Sequence, residues 1–352
     1  MNKQLTIQPN FNIIDIFKMD FSHKNKSNYE LYKSGRYALY FGLKNILSAN
    51  PKLKNVYIPS FVCPQVLMPL NSLKLNLVFY QIDENLLIDK DFLEKNINSE
   101  CIIIVINYFG FSSDWEFFDS LKNKTSCTLI SDNCHSLFSK YKGKELNQYG
   151  DLSFNSFRKN LPLLSGSQLF YNNMDYKNSA NIKMRSPNLS ELFYMMRSFK
   201  PSFIKSRLGD TKLVGHYRPD GNNKYFFDPS SENKIDLISG NLFNNYFKCV
   251  HSITSHRQKN YRAWLNYLPQ SEFIFINNLI LDKDTTPYVF PCIAKNEDIM
   301  HKWIQWGNRR NISIINWSNK REDLNTKLRL MLLFPIIPDK NVKKILEDVD
   351  KN

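Results

Sequence analysis

The stretch CTLISDNCHS, residues 127–136, changes from an apolar run to a group of polar residues. A second apolar run, CIIIVINYFG at 101–110, ends in the same way, and LNLVFYQID at 75–83 comes before both. Strands that are buried on both faces of a parallel sheet have this near-continuous apolar pattern, and the segments between the runs are long enough for crossover helices. The sequence therefore predicts an open, mostly parallel α/β sheet.

The segments before these runs carry helix and strand patterns. SGRYALYFGLKNILSAN, at 34–50, has the broad apolar stripe of a buried helix, and NVYIPSF, at 55–61, is typical of a strand that ends in a Pro-Ser turn. The next segment, CPQVLMPLNSLK, predicts a helix that is broken or kinked near Pro69.

The C-terminal part favours a second, smaller α/β domain. A single long helix is expected over 236–268, followed by alternating strand and helix patterns. We therefore expect a large domain over 1–235, loop-rich between 176 and 235, and a small domain over 236–352.

Composition narrows the class of protein. The chain has 352 residues and is 42% hydrophobic, which is enough for two cores. Its apolar runs are far shorter than the roughly 20 residues that span a bilayer, so no membrane span is expected. No secretory signal stands at the N-terminus. The six cysteines form no CxxC pair, which favours a reducing cytoplasm and no metal site. The net charge of +14 is scattered, so no nucleic-acid partner is expected.

Polar residues stand where several of the predicted strands end. Asn107 and Tyr108 follow one strand, Asp132 and His135 follow the next, and residues 59–63 follow a third. Open α/β sheets bind ligands outside the carboxyl ends of their strands, so these residues should meet at one edge of the sheet.

Three short elements carry candidate chemistry. Ser-Gly-Arg at 34–36 opens a helix, where backbone N–H groups of Gly35 and Arg36 favour a phosphate. Asp132 places a carboxylate at the mouth of the sheet, and Lys159 follows Ser156 after the next strand. Taken singly, each element has an ordinary alternative: a helix N-cap by the serine, a second N-cap by the aspartate, and a solvated lysine.

Together the three elements fit a pyridoxal phosphate enzyme. Such an enzyme needs a lysine to hold the aldehyde as a Schiff base and to move the proton of the substrate α-carbon. A partly desolvated lysine with a lowered pKa can do this. It also needs a carboxylate at the ring nitrogen and a cradle for the phosphate.

The motifs SGRYAL, IPSFVCP, SDNCHS and SFRKNLP resemble those of the DegT-type sugar aminotransferases, which are pyridoxal phosphate-dependent enzymes of fold type I. The resemblance covers residues 30–175. It implies a large domain with a mostly parallel central sheet flanked by helices, and a small C-terminal α/β domain.

The resemblance also implies roles for individual residues. Lys159 would be the Schiff-base lysine, Asp132 would pair with the pyridine nitrogen, and His135 would lie near the ring hydroxyl. Ser156, Gly35 and Arg36 would hold the phosphate. The side chain that stacks on the ring would come from the segment of Phe61, Val62 and Cys63, with Cys63 where the family often has an aromatic residue.

Two features depart from the family pattern. The Gly-rich segment that usually follows the lysine is reduced to Gly166, and the partner-subunit Asn has only Asn233 as a counterpart. Arg218 and Arg257 are treated as structural or surface residues. The resemblance still implies a homodimer with its sites at the interface.

The implied reaction is transamination from an amino acid, with glutamate as the expected donor, to a keto group of a nucleotide-linked sugar for a surface glycan. Relatives that eliminate a hydroxyl carry His in place of the lysine, so Lys159 favours transfer. A pyridoxal phosphate lyase and a cofactor-free binding or regulatory module remain as alternatives.

Overall fold

The computed structural model describes residues 5–9, 29–178, 184–189, 227–230, 233–317 and 325–350. Most of the predicted loop-rich segment at 176–235, including Arg218, lies outside these residues.

The large sheet has seven strands in the order β1-β9-β8-β5-β4-β2-β3. Its strands β2 to β5 and β8 pair in parallel, whereas β9 and β1 add an antiparallel edge. The prediction of a mostly parallel sheet is therefore confirmed. The strands are β1 Tyr29–Tyr32, β2 Asn55–Pro59, β3 Asn76–Tyr80, β4 Cys101–Ile106, β5 Thr128–Asn133, β8 Leu152–Asn155 and β9 Ser167–Tyr171, while β6 Lys140–Tyr141 and β7 Lys144–Glu145 form a separate hairpin.

Five helices connect these strands: α1 Gly35–Ala49, α2 Pro64–Ser72, α3 Lys90–Asn96, α4 Trp115–Thr125 and α5 Phe157–Asn160. Helix α1 buries Ala38, Leu43 and Ile46, whose spacing puts them on one face. Helix α4 begins at an N-cap, Asp114, whose side chain accepts the N–H of Phe117.

A second sheet has four antiparallel strands in the order β10-β11-β13-β12. These strands are β10 Phe273–Phe275, β11 Val289–Ala294, β12 Ile315–Asn316 and β13 Met331–Pro335. The surrounding helices are α6 Leu237–Lys248, α7 Val250–Tyr267, α8 Glu297–Arg309 and α9 Val342–Asp350. A smaller α/β unit is thus present, and the division at 235/236 stays a prediction.

One prediction about the helices is wrong. The single helix expected over 236–268 is two helices that meet at Cys249, where φ is −100° and ψ is 9°. No Pro or internal Gly marks this junction, so nothing in the sequence indicates a stop there. The helix expected to be broken or kinked near Pro69 is not broken at that residue and runs to Ser72.

The central strands of the large sheet are fully buried. All six residues of β4 are buried, as are all six of β5, although β5 ends in Asp132 and Asn133. A buried carboxyl group at a strand end is costly unless something partners it, which draws attention to this edge of the sheet. Among the helices of the described residues, none has the length and apolar character needed to cross a membrane.

Candidate active site

The start of α1 lies against the ends of β5 and β8. A Cβ atom placed on Gly35 would lie 3.0 Å from Cys134 Sγ and 3.3 Å from the carbonyl oxygen of Asn155. A larger residue would press on both neighbours, so glycine permits this close approach. The three sequence elements that carry candidate chemistry therefore meet at one edge of the sheet.

Lys159 and His135 form a close pair at this edge. Lys159 Nζ lies 3.0 Å from His135 Nε2. Burial, followed by the charge of Lys159, lowers the pKa of His135 far below its usual value. The imidazole is therefore neutral at physiological pH, and Nε2 can accept a hydrogen bond from the lysine ammonium.

The pKa of Lys159 is not lowered. Burial lowers it, but the negative charges that Cys134, Cys63, Tyr288 and Asp132 can carry raise it, and the net direction is upward. The acidic groups that surround the amine therefore outweigh desolvation.

Asp132 is almost fully buried at the end of β5. Its Oδ1 accepts the N–H of Cys134 at 2.9 Å. Burial raises the pKa of Asp132, against the opposing charge of Lys159. A positively charged ligand atom beside this carboxyl group would favour its ionised form.

The N-cap hydroxyl of α1 is not used by its own helix. Ser34 occupies the N-cap, but its side chain makes no capping hydrogen bond. Within the described part of the chain, Ser34 Oγ is buried and has no hydrogen-bond partner. The capping alternative for this serine is thus not what the structure shows, and the hydroxyl can serve a bound phosphate together with the helix N–H groups.

The other residues predicted to bind the phosphate are placed less directly. Ser156 is the N-cap of α5, and its side chain also makes no capping hydrogen bond. Arg36 directs Nη1 to Met68 Sδ at 3.4 Å. Phosphate binding by Gly35, Arg36 and Ser156 stays a prediction.

The three candidates for stacking on the ring differ in burial, and Val62 is fully buried. Phe61 is buried; its carbonyl oxygen accepts the hydroxyl of Tyr108 at 2.5 Å, and its ring meets Trp317 edge-on at 4.8 Å. Cys63 is half-buried and caps α2. The identity of the stacking residue stays a prediction.

Three aromatic residues that the sequence analysis missed enclose His135. Phe109 and Tyr288 stack on its two faces, with ring centroids at 5.6 Å and 4.8 Å, and Trp317 meets its edge at 5.4 Å. We call Phe109, Tyr288 and Trp317 the His135 cage. The segment YFG before α4 is a partial signal for Phe109. Nothing in the sequence places Tyr288, which directly precedes β11, or Trp317, which directly follows β12.

The cage is tied together by backbone contacts. Phe109 has a left-handed backbone with φ +55°, which is strained for a bulky residue, and its carbonyl oxygen accepts the N–H of Tyr288 at 2.7 Å. Gly110 follows with φ +102°, and a Cβ there would lie 2.3 Å from the carbonyl oxygen of Thr286. The two chain segments therefore touch without space for a side chain.

Arg257 on α7 is fully buried and holds the segments next to His135 and Lys159. Its Nη1 donates to the carbonyl oxygens of Pro287 and Tyr288 at 3.0 and 3.1 Å, and its Nη2 donates to that of Asn160 at 2.9 Å. The treatment of Arg257 as structural is consistent with these bonds. Burial lowers its pKa to about 10.

These residues fit pyridoxal phosphate. The unpartnered hydroxyl of Ser34 at a helix N-terminus suits a phosphate, the buried carboxyl group of Asp132 suits a protonated ring nitrogen, and the amine of Lys159 suits an aldehyde. No group of three or more potential metal ligands occurs among the described residues.

The model of the DegT/DnrJ/EryC1/StrS aminotransferase family matches residues 17–182. The match covers just under half of the chain, which over this part is similar to that family. Its members are pyridoxal phosphate-dependent aminotransferases, so the predicted enzyme class and cofactor are confirmed at the level of the family. The match ends shortly after Lys159 and the β9 strand. No curated protein matches the chain.

Solved structures share the fold of this chain over most or all of its length. PseC of Helicobacter pylori, an aminotransferase involved in the biosynthesis of pseudoaminic acid, has a TM-score of 0.72 and 16% identity, and covers 99% of both chains. Spr1654 of Streptococcus pneumoniae, a sugar aminotransferase candidate in its PLP form, has a TM-score of 0.69 and 15% identity over 100% of this chain and 97% of that one. The dehydratase ColD, with bound GDP-perosamine, has a TM-score of 0.65 and 14% identity over 92% and 87%.

Other predicted strand-end residues serve the fold. Asn107 is fully buried, and its Nδ2 donates to Ser131 Oγ and Asn133 Oδ1, which holds the ends of β4 and β5 together. Asn233 lies beside the start of α1, where its carbonyl oxygen accepts the N–H of Lys33 at 2.7 Å.

Proposed function

We propose that the protein is an aminotransferase that moves an amino group from an amino acid, with glutamate as the expected donor, to a keto group of a nucleotide-linked sugar. The observation that carries this proposal is the Lys159–His135 pair beside the buried carboxyl group of Asp132, at the edge where α1 begins. The family match supports the reaction class.

Bound pyridoxal phosphate would supply the electron sink that makes the α-hydrogen of the amino acid acidic. Lys159 would carry the cofactor at rest and move protons at its Nζ atom. The carboxyl group of Asp132 would hold the ring nitrogen in its protonated form, and Ser34, Gly35, Arg36 and Ser156 would hold the phosphate.

An anionic sugar nucleotide suits the charge of this chain. The net charge is +14, and Arg36 and Arg158 stand in the segments that open α1 and α5. A positive cleft attracts an anionic substrate. The GDP-perosamine bound by ColD, and the role of PseC in making pseudoaminic acid, support a sugar substrate and a glycan product.

We favour amino transfer over the other reactions and roles considered for this fold. The lysine at position 159 supports transfer over elimination of a hydroxyl, and its Nζ lies 3.0 Å from His135 Nε2. A lyase reaction and a cofactor-free binding module remain alternatives that the experiment below separates.

The proposal also includes the oligomeric state and the cellular location of the protein. We expect a homodimer, for which the apolar surface that Leu237 and Phe247 expose on α6 is a suitable contact. We expect a cytoplasmic location, because all six cysteines are free. Light scattering that shows a monomer at micromolar concentration would exclude the dimer.

The test is the absorbance of purified protein with pyridoxal phosphate, before and after L-glutamate is added. The wild type should bind the cofactor and turn yellow, and glutamate should bleach the colour. Lys159→Ala should not respond to glutamate, whereas Lys95→Ala, which changes an exposed lysine, should behave as the wild type does.

The outcomes separate the alternatives. A yellow protein that glutamate and other amino donors do not bleach would favour a lyase. A protein that stays colourless with added cofactor would favour the binding module. Bleaching that persists in Lys159→Ala would refute the role of this lysine.

A further inference from the structure

His135 has a contact that cofactor binding alone does not explain. Its Nε2 atom lies against Lys159 Nζ, so it faces the amine. Because the imidazole is neutral and the lysine is charged, the shared proton belongs to Nζ and the ring proton must be on Nδ1. In the part of the chain that the structure describes, Nδ1 is buried without a hydrogen-bond partner.

The His135 cage fixes the direction of Nε2. Phe109 and Tyr288 lie nearly parallel to the imidazole, with interplanar angles of 11° and 12°. Turning the ring would require the slot between them to widen. The hydrogen bond between the backbones of Phe109 and Tyr288 opposes such widening.

Hydrogen bonds also connect the backbone segments that carry Lys159 and His135. Asn160, the neighbour of Lys159, donates Nδ2 to the carbonyl oxygen of Cys134, the neighbour of His135, at 3.1 Å. Arg257 in turn holds the carbonyl oxygen of Asn160. The distance between Nζ and Nε2 is therefore set from both ends.

Four other titratable groups face Lys159. They are Asp132 on β5, Cys134 after β5, Cys63 before α2 and Tyr288 before β11. Burial raises the pKa of Cys134 and of Tyr288, so both groups release their protons less readily than usual. The neutral imidazole is the acceptor that contacts the amine directly.

We propose that His135 is a positioning residue that accepts a hydrogen bond from the Lys159 ammonium and so holds the amine and its proton in place whenever the lysine is not bound to the cofactor. This role deepens the proposed function, but it concerns the cofactor-free protein and is tested there.

Removal of the acceptor should make the ammonium less stable and the amine reactive at lower pH. The experiment is reductive methylation of cofactor-free protein with formaldehyde over a range of pH, with peptide mass spectrometry of the extent at Lys159. In His135→Phe, which keeps an aromatic ring in the slot, the pH midpoint should fall by about one unit, so that the rate below the wild-type midpoint rises about tenfold. In His135→Gln, whose side-chain oxygen can accept a hydrogen bond, the midpoint should stay close to that of the wild type.

A second measurement needs only the wild type. Nitrogen-15 NMR should show His135 as the neutral tautomer with its proton on Nδ1, with the signal assigned by its loss in His135→Gln. A proton on Nε2, or an unchanged midpoint in His135→Phe, overturns the proposal. These results do not depend on transamination, so a protein that fails to respond to glutamate leaves them standing.

Discussion

Replacement of Arg257 by Met tests how the site is held together. The guanidinium donates to three buried carbonyl oxygens, those of Pro287, Tyr288 and Asn160. Tyr288 covers one face of His135, and Asn160 follows Lys159 in the chain. One side chain therefore anchors both walls around the Lys159–His135 pair.

The structure sets the size of the effect. Each carbonyl oxygen left without a donor costs about 2 kcal/mol, so three cost about 6 kcal/mol. Burial lowers the pKa of Arg257 to about 10. Because Met is uncharged, the substitution also removes the free-energy cost of burying this cation, which is about 3 kcal/mol. The free energy of unfolding should thus fall by about 3 kcal/mol.

Urea denaturation measures this change, with Arg262→Met as the control. Arg262 is exposed on the same helix, so its replacement should change the free energy of unfolding by less than about 0.5 kcal/mol. Arg257→Met should also bind pyridoxal phosphate more weakly. If Arg257→Met unfolds at the urea concentration of the control, the anchoring argument is wrong.

Three further predictions concern the same region. Gly110→Ala should destabilise the protein by about 3 kcal/mol in thermal denaturation, because its Cβ would collide with a backbone carbonyl, whereas Gly143→Ala, with open space around it, should cost about 1 kcal/mol. Below about pH 6.5 the free energy of unfolding should fall by up to about 1.4 kcal/mol per pH unit, because His135 in the unfolded chain takes up a proton that the buried imidazole does not. His135→Phe should lose this contribution to the pH dependence of stability. Ser34→Ala should weaken pyridoxal phosphate binding about tenfold in fluorescence titration without loss of stability, while Ser48→Ala on the same helix should not.

Each of these has a result that contradicts it. Equal losses of stability in Gly110→Ala and Gly143→Ala would mean that backbone strain at positive φ, and not collision of the added Cβ, causes the destabilisation. An unchanged acid slope in His135→Phe would mean that other groups cause the pH dependence. Equal cofactor affinity in Ser34→Ala and the wild type would remove the serine hydroxyl from the phosphate site.

The strands and their end residues followed from the sequence because apolar runs such as CIIIVI have one plausible location, inside a parallel sheet. Gly35, Asp132 and Lys159 could be placed together for the same reason, since parallel strands end at one edge. The His135 cage could not be predicted. Tyr288 and Trp317 reach it through docking of a second sheet, and local patterns contain no information about that contact.

The direction in which the pKa of Lys159 shifts could not be predicted from the sequence either. Its direction depends on which acidic groups surround the amine, and Cys63 and Tyr288 stand far from Lys159 in the chain. The junction at Cys249 was missed because the apolar pattern continues through it.

The slot around His135 is built from chain segments that are made at different times. Phe109 precedes His135, but Tyr288 and Trp317 come much later in the chain. A nascent chain that has formed the whole large sheet still lacks one face and one edge of this slot. We therefore expect the cofactor to bind late in biosynthesis and to stabilise the docked arrangement of the two sheets by mass action.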